Sequence, residues 1–388
     1  MAPPDVSVPS PDDVLNSLRG VIDPELGSDI VTLGMARHAV VAADGTVTVT
    51  VALTTAGCPL RAQIQRDVKA KVASLVGVSS VAIDWTEMTP AQKAEAMSKA
   101  RWNLKEQAPQ TAVPPTTRVI GIASGKGGVG KSSVTVNLAV ALARRGLAVG
   151  VLDADIWGFS VPRMLGIDGR LSGVPGEKKI VPATLAVPPG RLDVVSMGLL
   201  VDAEDEALMW RGLMLNRAVQ HFLEDVVWPE DLTYLLIDLP PGTGDVQMGL
   251  ARLLPRTELL VVTTPALAAQ KVAARAVSMA RKSFLRICGV VENMSAFVAP
   301  DGTAYELFGS GGGDALASEV GVPLLARLPI DAGVSAGGDR GRPAALGDGA
   351  VSDAFAALAT RIVEEAVPPV EMAGCSARLL SAIDAAFS

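Results

Sequence analysis

Cysteine is scarce in this chain. Three in 388 residues are too few for a disulfide framework, which points to a reducing compartment. Histidine is scarcer still, with only His38 and His221. Basic residues are outnumbered: 34 Lys and Arg stand against 41 Asp and Glu, and the net charge of −7 argues against a nucleic-acid binder, whose footprint is usually basic. No apolar run is long enough to cross a bilayer. The opening MAPPDVSVPSPDD has neither the basic start nor the apolar stretch of a signal peptide. A soluble cytoplasmic protein is therefore expected. Aromatic residues make up only 4% against 49% hydrophobic residues, so Ala, Val and Leu must build the core. The length allows two or three domains at roughly 150 residues each.

Residues 10–105 have the pattern of a small α+β domain. Ser10 is a candidate N-cap, followed by Pro11 at the first helical position and Asp12 and Asp13 in the first turn. Val14, Leu15, Leu18, Val21 and Ile22 recur at helical spacing. The segment DGTVTVTVAL predicts a turn and a strand, because Val47, Val49 and Val51 alternate with threonines. A second helix is predicted from Pro59, with Leu60, Ile64, Val68, Val72 and Leu75 on one face and Gly77 ending it. VSSVAID predicts another strand. Cys58, in TTAGCPLR, stands just ahead of that second helix. Unpaired N–H groups at a helix start favour a thiolate, so Cys58 is either a reactive or metal-binding thiol or a small residue in a tight turn. Residues 106–117 are polar and rich in Pro and Thr, the composition of a semi-extended linker.

From 118 to 367 short apolar runs alternate with helical patterns. VIGIAS, VGVLDAD, YLLIDLP, ELLVVTTP, CGVVENM and PLLARLP predict strands of near-continuous Val, Ile and Leu, buried on both faces. Helices between them make this an α/β fold with a doubly wound, mostly parallel sheet, whose ligands gather at the carboxyl ends of the strands. The first strand runs into Gly125, Lys126, Gly127, Gly128, Val129, Gly130, Lys131, Ser132 and Ser133. This is the phosphate-loop pattern, with a strand before it and a helix after. Backbone N–H groups and the helix start would surround phosphate oxygens, Lys131 would meet the β- and γ-phosphates, and Ser132 would ligate Mg²⁺. Asp238, ending YLLID, is a second Mg²⁺ anchor. Asp153 and Asp155 end the strand of LDAD. Asp155 can orient water or reach the metal, or merely cap a turn.

The loop needs one lysine and has two. With Lys126 it resembles the deviant Walker A group, in which that lysine crosses a dimer interface to the partner's nucleotide, acting in trans as an arginine finger does. Together with MWRGLMLNRAVQHFLEDVVW, LIDLPPGTGDVQ, VVTTP, GVVENMSAF and LPID, the chain resembles the Mrp/ApbC family of iron–sulfur cluster carrier ATPases over residues 119–345. DPEL, LGM, TTAGCPL and Gly77-Val78 resemble the SufT-like domain of iron–sulfur assembly proteins, in which the cysteine matching Cys58 is the residue of interest. The resemblance implies a homodimeric, slow ATPase that binds ATP and Mg²⁺ and carries a [4Fe–4S] cluster. Its partners would be iron–sulfur assembly proteins and apoprotein recipients. It also implies adenine recognition near Asn293 and near Pro329, Ile330 and Asp331.

One element of that family is absent. A Cys-x-x-Cys pair usually follows ENMS, and here Ala299, Pro300, Asp301 and Gly302 stand in its place. Cys288 lies in an apolar strand and Cys375 in the tail 368–388, so cluster ligands cannot be read from spacing. Two rival readings follow. One is a ParA/MinD-like positioning ATPase, although the tail lacks the basic amphipathic face of a membrane anchor. The other is a nucleotide-binding assembly scaffold that holds no cluster.

Overall fold

The computed structural model describes residues 8–370 except 24–27, 55–60, 108, 156–157, 201–211 and 243. The chain divides into two compact units, Met1–Ala108 and Pro109–Ser388.

The first unit begins with helix α1 (Pro11–Ser17), closed by a reciprocal cap: Asp13 N–H donates to Ser10 Oγ at 3.1 Å and Ser10 N–H to the Asp13 carboxylate at 3.0 Å. Strands β1 (Ala36–Val41) and β2 (Thr46–Leu53) pair antiparallel, and β2 pairs parallel with β3 (Ser80–Glu87). Helix α2 (Arg61–Ala73) makes the crossover and buries Ile64, Val68 and Val72. Val47, Val49, Val51 and Leu53 alternate inward, as the sequence requires of a strand with one wet face. Leu60 lies outside the described residues. Helix α3 (Pro90–Gln107) was not anticipated.

Residues 106–117 depart from the expected linker. Helix α3 occupies 106 and 107, and the stretch from 109 is packed within the second unit. Val113 and Thr117 are buried. Ala112 N–H donates to Leu223 O at 2.7 Å, Arg256 donates to Val113 O and Pro114 O at 3.1 and 3.0 Å, and Thr117 Oγ1 donates to Leu232 O at 2.8 Å. The partly buried Arg256 guanidinium is one of three anchors that hold this stretch.

The second unit is a nine-stranded sheet among the described residues. Its members are β4 (Arg118–Ser124), β5 (Ala148–Asp153), β6 (Ala183–Val187), β7 (Gly190–Ser196), β8 (Tyr234–Asp238), β9 (Glu258–Thr263), β10 (Arg286–Val298), β11 (Ala304–Tyr305) and β12 (Leu324–Ile330). The order is β6-β7-β5-β8-β4-β9-β10-β12, with β11 paired to the far end of β10. Only the β6–β7 and β10–β11 pairs are antiparallel. Strand residues alternate between two cores. Ile120, Ile122, Leu236 and Val262 face helices α4 (Lys131–Ala143) and α11 (Ala350–Arg361). Val119, Leu235, Ile237 and Val261 face α6 (Gly212–Glu224), α7 (Gly244–Leu253), α8 (Leu267–Lys282) and α9 (Gly312–Val320). Burial on both faces is why the central strands read as unbroken apolar runs. Short helices α5 (Val161–Leu165) and α10 (Ala332–Asp339) border the carboxyl ends of the strands.

Candidate functional site

Strand β4 ends at Ser124 and delivers the loop 125–130 to the first turn of α4. Two of its glycines are required by geometry. A Cβ on Gly125 would lie 2.3 Å from the backbone N of Ala273 in α8. Gly130 has φ +79°, and a Cβ there would lie 2.3 Å from Asn293 Nδ2. That amide donates to Val129 O at 2.9 Å, so β10 clasps the loop from its side.

Asp238, at the end of β8, is the hub. Lys131 Nζ lies 2.8 Å from its Oδ1, Ser132 Oγ donates to its Oδ2 at 2.5 Å, and Thr135 Oγ1 donates to its Oδ1 at 2.7 Å. Lys131 is only 6% exposed and Asp238 fully buried. A hydroxyl and carboxylate oxygens in contact are hard donors, the chemistry that suits Mg²⁺ beside a phosphate.

Asp153, at the end of β5, is buried beside them. It accepts from Asp155 N–H, Ser160 N–H, Val161 N–H and Ser196 Oγ at 3.1–3.3 Å. Burial, and then the neighbouring Asp238 carboxylate, push it up to about 7, against the pull of Lys131 and of the Asp155 and Val161 backbone donors. Asp155 itself accepts from Gly158 N–H at 3.2 Å. Asp153 thus holds the backbone that carries Asp155.

Two cavities meet at this loop. One of about 220 Å³ is lined by Lys126, Gly127, Gly128, Lys131, Ser132 and Asp155, among others. The other, of about 490 Å³, lies in the size range of small-molecule sites and is lined in part by Asn293, Pro329, Ile330 and Asp331. Gly130, Ser133, Ser160 and Met164 line both. Lys126 is exposed, and among the described residues no carboxylate pairs with it. Its carbonyl accepts from Ser124 Oγ at 3.1 Å. Asp331 caps α10 by accepting from Gly333 N–H at 2.6 Å.

The structure therefore gathers Gly125 to Ser133, Asp155 and Asp238 around one loop, and sets Asn293, Pro329 and Asp331 on the adjoining cavity. Sequence reasoning assigned no role to Thr135, and named Asp153 only with Asp155 as a strand-end carboxylate that could orient water or reach the metal. Thr135 carries a legible signal, a hydroxyl one helical turn after Lys131. Asp153 carries another, a carboxylate closing an apolar strand.

Cysteine chemistry is placed less fully. Cys288 is buried, its thiol donates to Leu259 O at 3.3 Å, and burial pushes it up to about 12. Cys58 and Cys375 lie outside the described residues. Ala299 to Gly302 form the tip of the β10–β11 hairpin: Gly302 N–H donates to Ala299 O at 2.8 Å and Ala299 N–H to Thr303 O at 2.9 Å. Among the described residues no group of three or more His, Cys, Asp or Glu side chains could hold a metal ion, and no helix is long and apolar enough to cross a membrane.

Residues 115–363 match the ParA-type family described as NUBPL iron-transfer P-loop NTPase, and residues 11–85 match the family described as iron-sulfur cluster assembly protein. The chain is similar to the iron-sulfur cluster carrier protein of Mycobacterium tuberculosis, 46% identical over 340 residues that cover 86% of this chain and 87% of the relative. It is similar to that of Synechocystis sp., 41% identical over 358 residues, 90% of this chain and 96% of the relative. Among solved structures, the nucleotide-binding protein of Archaeoglobus fulgidus in complex with ADP is 32% identical, with a TM-score of 0.49, over 62% of this chain and 91% of that one.

Proposed function

Since the chain belongs to the iron-transfer P-loop NTPase family, we propose that it is an ATP-binding and ATP-hydrolysing dimer that serves iron–sulfur cluster assembly as a carrier. Clusters received from assembly proteins would be its cargo and apoproteins its recipients, the role carried in the names of its relatives. The observation that carries this reading is the convergence of Lys131, Ser132 and Thr135 on Asp238 beneath a glycine loop, with a second lysine exposed on the same loop.

The loop N–H groups and the start of α4 bind the β- and γ-phosphates, and Lys131 neutralises them. Ser132 and Asp238 would hold Mg²⁺, with Asp155 within reach, and the ion would supply charge neutralisation at the phosphates when bound. Asp155 orients the attacking water, and Asp153 fixes the turn that carries Asp155. The adenine lies toward Asn293, Pro329 and Asp331. Lys126, exposed on the loop, reaches the partner's nucleotide, where a trans cation is worth on the order of 10³–10⁵ in rate.

A mixing experiment tests the dimer. Lys126→Ala subunits keep an intact pocket, and Asp155→Ala subunits keep the lysine. Each alone is inactive. In mixed dimers the first subunit's pocket receives the second subunit's Lys126 and regains hydrolysis. Mixed dimers, proven by labelling, that stay inactive would refute action in trans.

A second reading, an assembly scaffold that holds no cluster, is supported by the hairpin tip, where Ala299 to Gly302 offer no thiol. Anaerobic reconstitution separates the two. Iron and sulfide bound per dimer, lost in Cys58→Ser, supports the carrier. No bound iron supports the scaffold.

A further inference from the structure

The larger cavity has two aromatic residues in its lining. Phe355 is 2% exposed and belongs to the core beneath it. Phe308 is 48% exposed, and among the described residues no other ring packs on it. Nearby Phe297 and Tyr305 do pair, with ring centroids 6.4 Å apart. A large apolar ring left unpartnered on a cavity wall offers a free π face, the surface on which nucleobases stack without regard to sequence.

Phe308 is also tied to the hairpin. Gly309 N–H donates to Glu306 O and Leu307 N–H to Tyr305 O, both at 3.1 Å, which folds residues 305–309 into a tight return directly after β11. On the other side, β10 runs without a break from Asn293 and Met294 in the cavity lining to Phe297 and Val298, which pair with Tyr305 and Ala304. Met294 has φ +57°, and the pairing of β10 with β12 is irregular between Asn293 and Phe297. The hairpin thus leaves the cavity by one strand and returns to it at Phe308. Its outer residues Val298 and Leu307 are exposed.

We propose that Phe308 is a nucleobase-contacting residue: the purine of a bound nucleotide packs on its ring and so fastens the hairpin Phe297–Gly309 to the nucleotide cavity. This rests on the nucleotide-binding reading above. It adds a route by which occupancy of the pocket changes an apolar surface outside it. A phosphate chain without a base would fill the loop and leave the hairpin unfastened.

The test compares ATP, ADP and inorganic tripolyphosphate on the full chain. Phe308→Ala is expected to weaken ATP and ADP about tenfold, the size of one base-stacking contact, and to leave tripolyphosphate unchanged. Phe308→Tyr, which keeps the ring, retains affinity, and Phe308→Leu does not. In hydrogen–deuterium exchange, ADP slows the amides of 305–309 in the native chain, tripolyphosphate does not, and Phe308→Ala abolishes the ADP effect. Equal affinity of native chain and Phe308→Ala for ATP overturns the proposal. So does an equal loss for ATP and tripolyphosphate, which would mean that Phe308 shapes the cavity rather than meets the base. If the native chain binds neither ATP nor tripolyphosphate, the nucleotide reading itself fails, a result distinct from the other two.

Discussion

Replacing Gly130 with Ala puts two separable strains into the loop. Residue 130 sits at φ +79°, where an L side chain costs about 1–2 kcal/mol. The new methyl also falls 2.3 Å from Asn293 Nδ2, far inside contact distance. Asn293 must swing away, which breaks its 2.9 Å bond to Val129 O. Leaving that buried carbonyl without a donor costs about 1–3 kcal/mol. The sum is a loss of about 2–5 kcal/mol for Gly130→Ala, and of about 1–3 kcal/mol for Asn293→Ala, which breaks the same bond. Since the bond can be lost only once, the double variant is expected to cost less than the two singles together by about 1–3 kcal/mol. Urea unfolding followed by tryptophan fluorescence of the four proteins measures the cycle. Additivity to within about 0.5 kcal/mol would show that the clash with Asn293 is not what makes glycine necessary here.

Lys131→Ala is expected to abolish measurable ATP affinity in calorimetry, since N–H groups alone leave the phosphate charge uncompensated, and native-like affinity would remove the basis for the pocket. Cys288, buried with its thiol pushed up to about 12, is expected to resist alkylation at pH 8 until the chain is unfolded, while Cys58 labels faster than Cys288. Mass spectrometry of partly labelled protein decides it, and native labelling at Cys288 would contradict its place in the sheet. Thr135→Val, which leaves Asp238 one donor short, is expected to weaken nucleotide binding by roughly tenfold or less, as one lost hydrogen bond does, and native affinity in a fluorescent-nucleotide titration would count against Thr135 as a support of Asp238.

The parts that could be read from sequence are those where one physical demand dominates. The strands of VIGIAS, YLLID and ELLVVT are buried on both faces, so nothing polar interrupts them. The loop 125–132 is legible because phosphate contact needs glycine, lysine and serine at fixed spacing. The edge pair β6–β7 was harder. It is divided by Pro188 and Pro189, and β6 buries only Val187 fully, so the apolar pattern is broken where the eye expects a loop. Helix α3 is mostly polar and shows little periodicity. The stretch 109–117 looks solvated by composition, yet Arg256, more than a hundred residues away, supplies the donors that fix it. Phe308 carried no local signal either, because its meaning depends on a hairpin returning to a cavity that its own segment does not build.

The ion pair between Lys131 and Asp238 bears on how the proposed nucleotide would bind and leave. A buried ammonium with no partner would tax the fold by several kcal/mol, since removing one member of a buried pair typically costs about 3–5 kcal/mol. Here the cation has a partner in the fold itself, the Asp238 carboxylate 2.8 Å away. Under the proposed function, phosphate binding would be an exchange of one anionic partner for another rather than the gain of a new pair. Affinity for phosphate would accordingly be a difference between two strong interactions, adjustable by small shifts at Asp238, and a departing product would expose no orphan charge.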